Sequence, residues 1–219
     1  MNDSTYTVFF AVVLGTVCAV ILTAVGQFTQ PFREANAEAE IKKNILSVLD
    51  IKVAEGTSPA DLIKIYEKNV KIEKTGATEG GKSASKNSKR YLRMENGKIQ
   101  TAAVHFSGPG LWGPVYGYLA TDGSMKNIKG ITFYKHEETP GLGGEIDADW
   151  FRDQFKGKST RRSDGSFGIT VCTGGKKASG NNEVDGITGA TLTSEKVQAM
   201  LVKVMQTFDK SKTSSKEVK

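Results

Sequence analysis

The sequence predicts an α+β fold: a single N-terminal transmembrane helix, then one domain with a mainly antiparallel sheet and flanking helices. Three features of the 219-residue chain point there. An uncharged apolar run covers residues 8–25. Alternating strand patterns begin at Lys98 and are parted by glycine-containing turns. Residues 194–208 carry one apolar helical stripe.

The run at residues 8–25 (VFFAVVLGTVCAVILTAV) has about the length that crosses a bilayer core as a helix. A cleaved signal peptide would want Lys or Arg before the run, and MNDSTYT has neither. Ala24-Val25-Gly26 is also a poor cleavage site. Residues 1–30 are therefore expected to be an uncleaved anchor. Arg33, Lys42 and Lys43 follow it, mixed with Glu34, Glu38 and Glu40. Taken alone, these few charges argue weakly for a cytoplasmic body. The run contains no acid, which makes it a poor ion path.

Residues 31–97 read as a helical and linker region. Pro31 is expected to close the anchor. Within residues 34–53, Ala37, Ile41, Ile45, Val48 and Leu49 form one helical stripe. Ser58-Pro59 starts a second helix to about Asn69, with Ser58 as N-cap and Asp61 near the positive helix end. Residues 75–89 are rich in Gly, Ser and Lys and read as a mobile loop.

The main domain is expected at residues 98–208. Ala102, Val104 and Phe106 alternate as in a half-buried strand, which Gly108-Pro109-Gly110 breaks. Residues 115–120 and 128–134 are strand candidates on either side of a turn at 121–124. Residues 149–155 read as a short helix closed by Gly157, and 167–172 as another strand. In the last helix Val197, Met200, Leu201, Val204, Met205 and Phe208 share one face. Residues 209–219 are expected to be a disordered basic tail.

Composition narrows the function classes. The net charge is +6, but the basic residues are dispersed, and the densest group, at residues 82–93, has no groove-reading element beside it. No nucleic-acid partner is expected. Cys18 lies inside the apolar run, so it cannot pair with Cys172, and there is no CxxC spacing. No metal site is expected.

Residues 185–194 (DGITGATLTS) stand directly before the last helix. Such a segment delivers hydroxyls to a helix N-terminus, where unpaired N–H groups favour an anion. The competing reading is a plain helix cap, since Ser and Thr are common there. It is not a P-loop, because no GxxxxGK[ST] occurs. The stretch resembles the Dxx[ST]GAT target of covalent flavinylation. Asp185, Thr188, Gly189, Ala190 and Thr191 fall on its positions. That resemblance implies that a flavin transferase moves FMN from FAD onto Thr191 through a phosphoester bond.

A second block adds weight. Residues 110–118 (GLWGPVYGY) are followed by residues 136–146 (HEETPGLGGEI), then Trp150 and residues 155–158 (FKGK). The order is similar to that in C subunits of sodium-translocating NADH:quinone reductases. The related G subunits of Rnf complexes share the ETPGLG and GAT elements, but the GLW…YGYLA stretch resembles the reductase protein more. The likeness covers about residues 98–205 and the anchor. It implies an FMN-binding domain with covalent FMN, working as an electron-transfer subunit in a larger membrane redox complex. It also implies a bacterial inner-membrane protein whose body is extracytoplasmic (periplasmic), against the charge reading.

The residues fit a flavin, which is flat, largely apolar and edged with polar atoms. Trp112 can supply a face, Leu142 an aliphatic contact and Thr139 a hydroxyl, while Gly143 and its neighbours allow close backbone approach. Glu138 joins these candidates. His136 and Glu138 can form a proton relay or simply order the loop, and both readings stay open. Asp185 shapes the turn or contacts the attachment site. His105 reads as structural. No GxGxxG follows a strand, so the chain is expected to relay electrons rather than oxidise NADH alone. Two other assignments are carried forward: an Rnf-type G subunit, and an extracytoplasmic binding or scaffold module whose GAT turn is only a cap.

Overall fold

The computed structural model describes residues 3–75 and 88–214. They fall into two units, Met1–Glu40 and Ile41–Lys219.

The first unit is helical. Helix α1 (Asp3–Val48) begins in it. Its segment is long and apolar enough to cross a membrane, and the large apolar side chains there are exposed. Thr16, Thr23 and Thr29 donate their hydroxyls to the carbonyls of Val12, Ala19 and Val25, at 2.8, 2.8 and 2.9 Å. That pairing leaves these hydroxyls satisfied without water, as a bilayer requires. Pro31 does not end the helix, contrary to expectation; it lies inside α1. Proline removes one intrahelical bond, and the run of Ala, Glu and Lys after it sustains the helix.

In the second unit α1 stops at Val48, earlier than the expected Val53. Asp50 turns left-handed (φ 58°), and the Ile51 N–H donates to Leu46 O at 2.9 Å, a six-to-one closure that ends the helix. Helix α2 (Pro59–Asn69) starts as expected, the Asp61 N–H donating to Ser58 Oγ at 3.2 Å.

A five-stranded antiparallel sheet follows, in the order β1 (Val70–Thr75), β2 (Ser88–Glu95), β3 (Lys98–Pro109), β4 (Pro114–Asp122) and β5 (Ile128–Lys135). Each strand pairs with the next in the chain. The first two strands lie where only helix and linker were expected. They are rich in charge, and β1 is an edge strand, where charge blocks unwanted pairing. Glu73 and Arg90 pair across them at 3.1 Å. Residues 76–87 of the expected mobile loop lie outside the described residues.

Both faces of the sheet are covered. On one, Ala103, Tyr118 and Ala120 pack against Ile45, Leu46 and Val48 of α1, Leu49 just after it, and Leu62 and Tyr66 of α2. His105 has the structural place expected of it, with Nε2 at 3.0 Å from Tyr134 Oη on the same face. On the other face, Val104, Phe106, Leu119, Ile131 and Phe133 meet the rest of the chain.

That remainder holds a 3-10 turn (Gly143–Asp147), α3 (Asp149–Asp153), a parallel pair β6 (Thr170–Cys172) and β7 (Glu183–Asp185), and α4 (Thr191–Ser214). Val197, Met200, Leu201, Val204 and Met205 of the expected stripe are buried; the Phe208 side chain lies outside the described ones. The strand expected at 167–172 is only three residues long, with Phe167 held by an isolated bridge to Arg161. Helix α4 starts three residues before the expected Ser194 and runs on to Ser214, so residues 209–214 of the expected disordered tail are helical. Residues 215–219 lie outside the described residues.

Phe151 is fully buried, with ring contacts to Phe133, Trp150 and Phe155. Phe151→Ala is expected to lower the unfolding free energy by about 3–5 kcal/mol. Denaturant titration in detergent reads this, and a loss under about 1 kcal/mol contradicts the packing described.

Candidate functional site

The segment before α4 is built outward from β7. The Asp185 carboxylate accepts from the Ala178 N–H at 2.7 Å and from Lys177 Nζ at 3.3 Å. The Ala178 bond and Lys177 hold its carboxyl below the usual range, against the cost of burial. Gly186 N–H donates to Cys172 O at 2.7 Å, continuing the parallel pair. The chain then turns: Ala190 N–H donates to Ile187 O at 3.0 Å, with Gly189 left-handed at φ 79°.

Helix α4 opens without a side-chain cap. Its first ladder bond runs from Ser194 N–H to Ala190 O at 3.0 Å, which makes Ala190 the N-cap. Alanine has no oxygen to offer there and is a poor cap. The N–H groups of Thr191, Leu192 and Thr193 precede the ladder. Nearby hydroxyls are engaged elsewhere. Ser194 Oγ accepts from the Ile187 N–H at 3.2 Å, and Thr193 Oγ1 donates to Glu138 Oε2 at 2.6 Å. Thr191 is exposed, and its hydroxyl forms no hydrogen bond among the described residues.

Glu138 follows β5 and is 5% exposed, while Thr193 is 1% exposed. Its other oxygen, Oε1, accepts from the N–H groups of Leu111 and Trp112 at 2.7 and 3.2 Å. Those two residues lie in the turn between β3 and β4, closed by the Gly110 N–H on Gly113 O at 2.8 Å. Thr139 O accepts from the N–H groups of Leu142 and Gly144 at 3.1 and 2.9 Å, folding the ETPGLG segment on itself. Leu142 Cδ2 is 3.2 Å from where a Cβ on Gly189 would lie, so Leu142 lies against the turn before α4.

Three segments therefore meet at one place: residues 110–113, 138–144 and 187–194. They present Leu111, Trp112, Leu142 and Leu192 to the surface around the exposed Thr191, with Trp112 70% exposed. An apolar wall beside helix N–H groups outside the ladder and an unengaged hydroxyl suits a flat ligand carrying a phosphate.

Of the sequence candidates, Trp112, Glu138, Leu142, Gly143, Gly189, Ala190 and Thr191 belong to this convergence. Thr188 is exposed on its turn, and Thr139 is exposed with its carbonyl engaged in the loop. The Asp185 carboxylate faces the 177–178 segment. His136 Nδ1 accepts from the Glu138 N–H, and Nε2 lies by Asp147 Oδ2, both at 3.3 Å. Sequence reasoning missed Thr193, Leu111 and Leu192. The signal for Leu192 was an apolar residue on the polar side of the helical stripe. A separate cavity of about 330 Å³ lies at the β4–β5 turn, lined by residues including Lys126, Arg161 and Phe167, and shares no residue with the convergence.

Comparison with known proteins finds the same region. The FMN-binding domain family matches residues 110–206. The C subunit of the Na(+)-translocating NADH-quinone reductase of Vibrio alginolyticus is 31% identical, covering 90% of this chain and 89% of that protein. Its Yersinia pestis counterpart is 41% identical over 49% of this chain and 40% of that protein. Among solved structures, the counterpart from Parabacteroides distasonis superposes with a TM-score of 0.66 and 29% identity, covering 80% of this chain and 92% of the other. NqrC of Shewanella oneidensis gives 0.65 and 25%, covering 76% and 90%.

A Cβ on Gly143 would lie 2.6 Å from both Glu138 Oε2 and Thr193 Oγ1. Gly143→Ala is therefore expected to split that hydrogen bond and cost about 1–3 kcal/mol. The unfolding midpoint of the variant checks this; a wild-type midpoint contradicts the geometry.

Proposed function

This chain belongs to the family of Na(+)-translocating NADH-quinone reductase C subunits, and on that premise we propose that it relays electrons through an FMN esterified to Thr191. The observation that carries the proposal is the exposed Thr191 hydroxyl, unbonded among the described residues, at an uncapped helix N-terminus edged by Leu111, Trp112, Leu142 and Leu192. A plain cap would use the hydroxyls of this segment for the helix, whereas Thr193 and Ser194 bond elsewhere.

Each residue has a part. Thr191 Oγ1 forms the bond to phosphorus; the pyrophosphate of FAD breaks, AMP leaves and the hydroxyl proton is released. A flavin transferase performs that step. The N–H groups at the start of α4 and the helix dipole favour the phosphate. Trp112 and Leu142 wall the ring, Gly189 and Ala190 leave room at the turn, Thr188 borders it, and Asp185 fixes the entry from β7. Thr139 and Gly143 hold the loop that carries Leu142. FMN bound there supplies reversible electron uptake and release, and the chain supplies position and water exclusion.

As part of a membrane complex the chain receives electrons from one neighbouring protein and hands them to another, within an assembly that moves sodium. It is not catalytically complete alone. The apolar segment of α1 anchors it in the bacterial inner membrane, with the body extracytoplasmic. There a covalent tether has a physical reason, because no free flavin pool could replace a lost cofactor. The named relatives are reductase subunits, which favours this assembly over an Rnf-type complex.

Thr191→Ala is expected to give a folded, membrane-bound protein whose denatured gel band has lost flavin fluorescence. A fluorescent band in that variant would sink the attachment site. Trp112→Ala is expected to keep the flavin attached and to move its midpoint potential in a spectroelectrochemical titration. An unmoved potential removes Trp112 from the flavin wall.

A further inference from the structure

A buried carboxylate is costly unless donors surround it. Glu138 has no cationic partner among the described residues, and its contacts are all donations from the chain itself. One oxygen takes the two N–H groups of Leu111 and Trp112; the other takes the Thr193 hydroxyl. Both carboxylate oxygens thus serve as acceptors. The two ends have different characters. The 110–113 turn is flanked by glycines and its side chains are exposed, so little apolar packing fixes it. Thr193 is buried in the first turn of α4, two residues beyond Thr191.

We propose that Glu138 is a positioning residue that locks the Trp112 turn to the first turn of α4. It thereby sets the surroundings, and hence the reduction potential, of the flavin on Thr191. The inference rests on the flavin reading above. Glu138 acts through Trp112 and Thr193, because both its oxygens are occupied by the chain's own donors. Gly110 and Gly143 fit this role: a Cβ on either would lie 2.4 or 2.6 Å from a Glu138 oxygen. The two glycines admit the carboxylate between the segments.

Full-length Glu138→Ala and Glu138→Gln test the idea by two readouts. The first is hydrogen exchange at the Leu111 and Trp112 amides, measured in a flavin-free Thr191→Ala background. The second is the midpoint potential of the flavin-loaded protein. Glu138→Ala is expected to speed exchange by about tenfold or more and to shift the potential. Glu138→Gln keeps an oxygen for the two N–H groups and an amide for Thr193 Oγ1, so it is expected to restore protection and return most of the shift. If Glu138→Ala fails to fold, Thr193→Val takes its place, with both effects in the same direction. Wild-type exchange, or an unchanged potential, in the alanine variant (or its Thr193→Val substitute) overturns the proposal. So does failure of glutamine to rescue. Absence of covalent flavin from the wild-type protein would instead sink the flavin reading, and the exchange arm alone would then decide the lock.

Discussion

The Glu138 carboxylate, buried between two loops and a helix, is the constraint on which the site depends. Strands β4 and β5 bring residues 110–113 and 138–144 to the same end of the sheet. The apolar face of α4 brings Thr193 there as well, because Val197, Met200 and Leu201 seat the helix in the core. Sheet pairing and helix packing set only the approach of these segments. Their exact register at the tip comes from the three donors around one carboxylate. Beside it, the 142–189 contact holds Leu142 against the turn before α4.

Much of the architecture is legible in the sequence because periodicity reports burial. The stripe from Val197 to Met205 and the apolar run at residues 8–25 both have the predicted character. The misreadings have physical causes. Pro31 removes a single hydrogen bond, and a long helix with good formers after it can absorb that loss. Strands β1 and β2 carry so many charges, which the edge place of β1 tolerates, that alternation is hard to see.

The candidate site was legible by motif resemblance more than by physics. Spacing alone leaves the segment from Asp185 to Ser194 a helix cap. What the structure adds is the engagement of each hydroxyl: Thr193 on Glu138, Ser194 holding the Ile187 N–H, and Thr191 bonded to nothing among the described residues. Glu138 and Thr193 are 55 residues apart, and no period or local pattern links them. Asp185 shows the converse: its place in the motif suggests the ligand, while its bonds show it bracing the loop at Lys177 and Ala178.

The most direct measurement of the central claim is peptide mapping of the protein purified from its own membrane. Cleavage after Lys177 and Lys196 releases one peptide containing Thr188, Thr191, Thr193 and Ser194. This peptide is expected to carry the mass of an esterified FMN, which fragmentation places on Thr191. An unmodified peptide, or an adduct on another hydroxyl, contradicts the claim.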